Sequence, residues 1–235
     1  MKKISVCMAT YNGAKYISEQ LDSILMQLGE NDEVIVSDDG SSDDTIKIIK
    51  KYADPRIRLV YNTEKHGYTK NFENALKYAC GDIIFLSDQD DIWLDNKVKL
   101  VVNCLNEYDF VIHDCKVTDS KLNVKYESFF EWMGVKKGFL NQFIRMRYLG
   151  CCMAFNKNLY EKILPFPPND KLVEHDAWIG SVAEAYVKCK KMDIPLILYR
   201  RHSMNTSEAG EGKGYPLWNK ICRRVYRLYY ILKVR

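Results

Sequence analysis

Along the first part of the chain the hydrophobic and polar positions repeat in one order: a short apolar run, a turn rich in Asn, Asp, Gly or Ser, then apolar residues at helical spacing. Ile4-Ser5-Val6-Cys7-Met8-Ala9 reads as a buried strand that ends in Thr10-Tyr11-Asn12-Gly13, residues that tolerate left-handed backbone and bond to their own main chain. Tyr16, Ile17, Gln20, Leu21, Ile24, Leu25 and Leu28 share one helical face, and Gly29 ends it. A second strand, Glu33 to Ser37, runs into Asp38-Asp39-Gly40-Ser41-Ser42-Asp43-Asp44-Thr45, after which Ile46, Ile48 and Ile49 open another helix. Arg58 to Tyr61 is a short third strand, and Gly67 to Ala79 a helix with Phe72, Ala75, Leu76 and Ala79 on one side. The fourth run, Ile83 to Leu86, stops at Asp88-Gln89-Asp90-Asp91 and resumes with Ile92 and Trp93. Strands alternating with helices of this length predict an α/β fold of βαβ units, a mostly parallel sheet flanked by helices. Ligands of such sheets bind beyond the carboxyl ends of the strands. There the unusual polar residues Thr10, Tyr11, Asp38, Asp39, Asp88 and Asp90 gather.

Beyond Asp91 the pattern is less regular. Lys97 to Tyr108 reads as a helix, Phe110 to His113 as a strand, and Asp114 to Lys125 as a polar connection with a hairpin as one form of it. Tyr126 to Gln142 has no clean period and is left unassigned. Leu149 to Phe155 reads as a buried strand, Pro165 to Pro168 as a loop, Glu174-His175-Asp176-Ala177-Trp178 as the opening of an apolar helix, and Ile194 to Tyr199 as a last strand.

Three carboxylates within four positions repel one another and raise each other's proton affinity, so they require a cation or a run of N–H donors nearby. A hard divalent ion, Mg²⁺ or Mn²⁺, suits them. Asp43 and Asp44 read instead as caps of the helix that follows, whereas Asp38 and Asp39 stand too early to cap. Glu174 and Asp176 admit two readings, a catalytic carboxylate and acids that favour a helix N-terminus.

The 235 residues are 47% hydrophobic, enough for one large domain. Eight cysteines lie among apolar neighbours without paired metal-site spacing, which predicts reduced core thiols and a cytoplasmic protein. The N-terminus carries no signal-peptide pattern, and no apolar window is long enough to span a bilayer.

Val6-Cys7-Met8-Ala9-Thr10-Tyr11-Asn12, then Ser37-Asp38-Asp39-Gly40-Ser41, then Gly81-Asp82-Ile83 leading to Asp88-Gln89-Asp90-Asp91, resemble the inverting sugar transferases of glycosyltransferase family 2, which have the GT-A fold. The resemblance covers roughly residues 3–205. It implies a nucleotide-diphospho-sugar donor held by Thr10, Tyr11, Asn12, Asp39, Lys70, Asn71 and Asp88, with Tyr11 stacked on the base, Asp39 bonded to it and Asp88 at the ribose. It further implies a metal, Mg²⁺ or Mn²⁺, on Asp90 and His202, and Asp176 as general base. Residues 1–95 would form the nucleotide-sugar half and 96–205 the acceptor half, with a saccharide or lipid-linked acceptor in surface polysaccharide biosynthesis. The aromatic, glycine-broken stretch 126–142 then suits a sugar-facing loop and a core cover equally. A catalytically inactive sugar-nucleotide or glycan-binding module would have lost the acid at 90 or 176, and a nucleotidyltransferase would carry a Gly-rich basic loop after the first strand.

Residues 206–214 read as a linker or lid, and from Gly212 onward seven basic residues stand without an acid. Removing them takes the net charge of +4 to about −3, so the basic character belongs to the tail. On a helix, Trp218, Ile221, Cys222, Val225, Leu228, Tyr229 and Leu232 face one way and Lys220, Arg223, Arg224, Arg227 and Arg235 the other. Residues 215–235 thus fit an anionic membrane surface at the inner face of the cell membrane, with packing across the domain or a dimer contact as the rival; the aliphatic face speaks against nucleic acid.

Overall fold

The computed structural model describes residues 2–203, 205 and 216–234. The linker 206–214 and Arg235 of the tail's polar face lie outside the described residues. Strands β1 (Ile4–Thr10), β2 (Glu33–Asp38), β3 (Ile57–Tyr61) and β4 (Ile83–Ser87) are joined by helices α1 (Ile17–Leu25), α2 (Thr45–Lys51) and α3 (Tyr68–Lys77). The four strands are parallel and lie in the order β3-β2-β1-β4. Strands β1, β2 and β4 are buried almost end to end, which is why they read as continuous apolar runs rather than alternating ones. The chain moves outward from β1 to β3 and then returns to the other side of β1. Crossovers therefore diverge between β1 and β4, and a crevice opens at the carboxyl ends of these two strands.

The second half comprises β5 (Ile92–Trp93), α4 (Lys97–Cys104), β6 (Phe110–Thr118), β7 (Val124–Tyr126), α5 (Phe129–Met133), α6 (Phe139–Ile144), a 3₁₀ turn at Gly150–Cys152, β8 (Met153–Asn156), α7 (Lys157–Ile163), α8 (His175–Tyr186), β9 (Cys189–Arg200) and α9 (Leu217–Ile231). The sheet continues β4-β8-β6-β9-β5, with β8 antiparallel to β4 and β6, β9 parallel to β6, and β5 antiparallel to β9. The sheet is thus parallel in its first half and mixed as a whole. Strands β4 and β5 stand four places apart. A flat sheet would separate them by about 19 Å, yet the five peptide steps from Ser87 to Ile92 reach only about 17 Å fully extended. The sheet must curl so that the acidic turn can close it, and this puts Asp88 to Asp91 at the mouth.

Three local expectations change. Leu149 to Cys152 is no strand: Cys152 N–H bonds back to Leu149 O at 3.1 Å and the backbone turns before β8 begins. Strand β6 runs on to Thr118 because β9 pairs along its full length, and the polar connection is a hairpin to β7. The unassigned stretch forms α5 and α6, the first capped by Ser128 Oγ, which accepts from Glu131 N–H. At α2 the side chain of Asp43 accepts from Thr45 N–H at 3.0 Å, whereas Asp44 occupies the cap position without a side-chain capping bond.

Candidate active site

A cleft of about 1830 Å³ lies over the carboxyl ends of β1 and β4 and is lined by Thr10, Tyr11, Asn12, Asp39, Asn71, Asp88, Asp90, Asp176 and His202 together. Its first wall is the turn after β1. Gln89 Oε1 accepts from Thr10 Oγ at 2.7 Å and Tyr11 N–H at 2.9 Å, and Gln89 Nε2 donates to Tyr11 O at 3.0 Å. The acidic turn thereby fixes Tyr11, whose ring stays 56% exposed and presents a face. Asn12, with φ 48°, takes Ser41 Oγ on its N–H at 2.9 Å and accepts Ser42 N–H on its side chain at 2.8 Å, tying this turn to the one after β2. Asp38 is spent inside that turn, accepting from Gly40 and Ser41 N–H at 3.0 and 2.8 Å.

Asp39 is held from three sides. Asn62 Nδ2 donates to Oδ1 at 2.7 Å, His66 Nδ1 lies 3.2 Å from the same oxygen, and Gly67 N–H donates to Oδ2 at 2.7 Å. Gly67 has φ 130°, a backbone shape that side-chain-bearing residues rarely adopt, and it aims this N–H. His66 is therefore part of the cleft wall.

At the closing turn, Asp90 Oδ2 meets His202 Nε2 at 2.8 Å, and Asn205 Nδ2 donates to the same oxygen at 3.3 Å. The imidazole stacks on Tyr16 with centroids 4.7 Å apart, so its ring plane is set. Burial, then the neighbouring Asp90 charge, push the Asp88 carboxyl up to about 7. Burial, then the charges of Asp90 and Asp88, hold the Asp91 carboxyl well above the ordinary range; its Oδ1 accepts Arg200 N–H at 2.9 Å and its Oδ2 has no partner among the described residues. Beneath them Lys97 is fully buried, its ammonium 3.8 Å from the Trp93 ring centre and 3.2 Å from Cys151 O. Burial pushes it down to about 8, with Asp91 acting in the other direction.

Two donor sets could hold a cation. Asp88, Asp91 and Cys151 bring ligand atoms within 4.8 Å of one another. Cys151 is a soft donor and Asp91 Oδ1 already accepts Arg200 N–H, so this trio fits a hard divalent ion less well. Asp90 and His202, which line the cleft with Asp88, offer a carboxylate and an imidazole where a substrate phosphate can complete the shell.

Asp176, close enough to Asp88 for its charge to act there, stands in the first turn of α8, and burial pushes its carboxyl up to about 6 against the pull of Arg223 and Arg227. Its neighbours are occupied otherwise. Glu174 pairs with Arg223 at 2.8 Å, and His175 is stacked on Phe72 at 4.3 Å with its proton affinity lowered to about 4 by burial.

Residues 5–164 match the model described as "Glycosyl transferase family 2". The chain belongs to that family. A UDP-Glc:alpha-D-GlcNAc-diphosphoundecaprenol beta-1,3-glucosyltransferase of Escherichia coli, WfgD, is 37% identical over 102 residues, 43% of this chain and 40% of its own length. The dTDP-rhamnosyl transferase RfbG of Shigella flexneri is 30% identical over 218 residues, 84% of this chain and 72% of its own. Among solved structures, S. aureus TarS 1-349 in complex with UDP-GlcNAc superposes with TM-score 0.74 at 20% identity, covering 100% of this chain and 67% of that one. The fold is that of the GT-A glycosyltransferases. The chain therefore spans less than half of the length of WfgD and about two thirds of the TarS fragment.

Against the family's expected donor residues, Lys70 and Asn71 need correction. Lys70 lies off the cleft lining, its ammonium paired with Glu73 at 2.5 Å. Asn71 reaches the cleft, but its amide is spent on the frame: Nδ2 donates to Ser37 O and Thr10 O at 2.8 and 3.1 Å, and Oδ1 accepts from Ser37 Oγ at 2.6 Å. It locks β1 to β2 and leaves no spare donor. Arg200 is 3% exposed, pairs with Glu19 at 2.5 Å and packs on Tyr16. The sequence reading missed the roles of Gln89 and Asn62, and also the placement of Lys220, Arg223, Arg224 and Arg227 of α9, which line the cleft. The cationic side of the tail was visible in the sequence, but its direction was not.

Proposed function

We propose that this chain transfers one sugar, with inversion, from a nucleotide diphosphate donor of the UDP- or dTDP-sugar kind to a saccharide or lipid-linked acceptor in surface polysaccharide biosynthesis. The observation that carries this is one cleft holding a fixed aromatic face at Tyr11, an Asp90–His202 pair and Asp176 with proton affinity raised to about 6. Residues 1–95 supply the donor half and residues 96–205 the acceptor half. Tyr11 stacks on the base, Asp39 accepts from the base edge, and Asp88 bonds the ribose. Asp90 and His202 are the ligands for Mg²⁺ or Mn²⁺, which when bound neutralises the departing diphosphate. Asp176 takes the proton of the acceptor hydroxyl as that oxygen attacks the anomeric carbon and the bond to the β-phosphate breaks; a raised proton affinity suits a base that works near neutrality. The test is incubation with Mn²⁺, a panel of UDP- and dTDP-sugars and a synthetic GlcNAc-diphosphate-lipid, with the product's anomeric configuration read by NMR. One donor is expected to give a product of inverted configuration, and a retained configuration or no product with any donor refutes the proposal.

The acceptor reading extends to the tail, with a correction. The cationic side of α9 turns inward, where Arg224 donates to Ile144 O at 2.5 Å and Arg227 to Phe143 O at 2.6 Å. Trp218, Val225 and Leu232, at 71%, 62% and 72% exposed, face out. No helix among the described residues is long and apolar enough to cross a membrane. Contact with a lipid surface then rests on insertion of this apolar stripe, not on cations meeting headgroups. Co-sedimentation with phosphatidylcholine vesicles is expected to persist when salt is raised, and Trp218→Glu with Leu232→Glu is expected to abolish it without moving the melting temperature. Binding confined to anionic vesicles and lost in salt would reverse that orientation.

A further inference from the structure

Four cations on one side of α9, Lys220, Arg223, Arg224 and Arg227, recur at three- and four-residue spacing and line the cleft, with Arg223 and Arg227 close enough to Asp176 for their charges to act on it. Their compensation is incomplete. Arg223 is paired with Glu174, but Arg224 and Arg227 spend their hydrogen bonds on the neutral carbonyls of Ile144, Phe143 and Gln142. Arg227 is only 7% exposed, and its Nε–H has no partner among the described residues. A buried guanidinium with an unsatisfied donor is costly, and an anion with several acceptor oxygens offsets that cost. Repulsion among the arginines points the same way: burial, opposed by Asp176 and aided by the charges of Arg223 and Arg224, lowers Arg227 to about 10. A lone carboxylate would satisfy one fork. Adjacent guanidinium groups on a rigid helix match the paired tetrahedral oxygens of a diphosphate.

We infer that the inner side of α9 is a second phosphate-binding subsite, separate from the donor's, which holds the diphosphate of a diphosphate-linked acceptor through Arg224 and Arg227 with Lys220 at its rim. The inference rests on the transferase reading for the acceptor's role, though the anion site itself does not. The helix then does two things. Its outer stripe meets the acyl region, and its inner side draws the linking diphosphate toward the cleft, so that the acceptor sugar comes up to Asp176. Lys220 and the helix start follow the residues outside the description, whereas Arg224 and Arg227 are anchored on α6, so the subsite is built on the body of the fold.

The first arm needs no turnover. Inorganic pyrophosphate is titrated calorimetrically into the full chain in excess chelator, which silences any metal-bridged donor site. Binding is expected, and Arg224→Gln should weaken it about tenfold, the scale of one charge-assisted hydrogen bond. Arg224→Lys should restore part of it. Arg227→Gln should weaken it at least as much; if that variant fails to fold, Lys220→Gln with Arg224→Gln takes its place. The second arm is kinetic. With a GlcNAc-diphosphate-lipid, the acceptor KM of Arg224→Gln should rise about tenfold while donor KM and kcat stay within twofold. The same sugar carried on an alkyl chain without phosphate should show no such rise. Unchanged pyrophosphate affinity in both variants overturns the inference. So does a rise in donor KM in place of acceptor KM, which would make α9 a clamp on the donor. Competition by phosphatidylglycerol vesicles equal to that of pyrophosphate would assign the site to headgroups instead. If no acceptor of either kind is used while pyrophosphate still binds through Arg224, the transferase reading fails and the anion site stands.

Discussion

Asp176→Asn is expected to lower turnover by a factor on the order of 10² to 10⁴, the usual contribution of a general base, while leaving donor affinity within a few-fold. The substitution keeps size and the hydrogen bond from Ala177 N–H at 2.6 Å, so the start of α8 has no reason to move. The pH profile is the sharper readout. Burial raises Asp176 to about 6, so its carboxylate is present above that value and is lost as pH falls through it. Wild-type kcat/KM should therefore drop about tenfold per pH unit below roughly pH 6, and the variant should lose this limb. The same shift acts on stability with the opposite sign. The folded state holds a proton that the unfolded state, near the ordinary value of 3.8, has released, so this group favours folding as pH falls from above 6 toward 4. Activity and stability thus pull apart at this residue, as expected where a buried carboxylate is kept for chemistry. Collapse of donor affinity instead of turnover would remove Asp176 from the role of base. Glu174 and His175 are poor successors, since one is held by Arg223 and the other is sealed against Phe72.

Asp90→Ala should abolish measurable transfer, a loss of about 10³-fold or more, because stabilisation of a leaving diphosphate by a metal is worth several kcal/mol. Mn²⁺ binding followed by water-proton relaxation should weaken in parallel, which separates loss of the ion from loss of the fold. The Asp90 carboxylate is held by His202 and Asn205, so its removal also frees the imidazole that Tyr16 now stacks. Full activity of the variant in chelator would sink the metal assignment. Mn²⁺ affinity surviving in Asp90→Ala but lost in Asp91→Asn would move the ion to the cluster of Asp88, Asp91 and Cys151.

The parallel half of the fold and the acids at its strand ends were legible because strands buried on both faces leave long apolar runs, and a turn after such a run has few places to go. Register then carried Thr10 beside Asp38, and Met8 beside Ser87 just before the acidic turn, into one crevice. Leu149 to Cys152 was misread because four apolar residues look alike as strand or turn; the pairing partners decide, and they start at Met153. Lys70 and Asn71 show the same limit. Neighbours on a helix point in different directions, so a dipeptide match cannot place both in a cleft, and here one binds Glu73 and the other the backbone of β1 and β2. The sequence alone determined that the tail has an apolar side and a cationic side. Which side turns inward was decided only by the tertiary structure. The carbonyls left at the end of α6 and the carboxylates Glu174 and Asp176 at the start of α8 offer partners to guanidinium groups and none to Trp218 or Leu232, so the cations turned to the cleft and the apolar stripe was left outside.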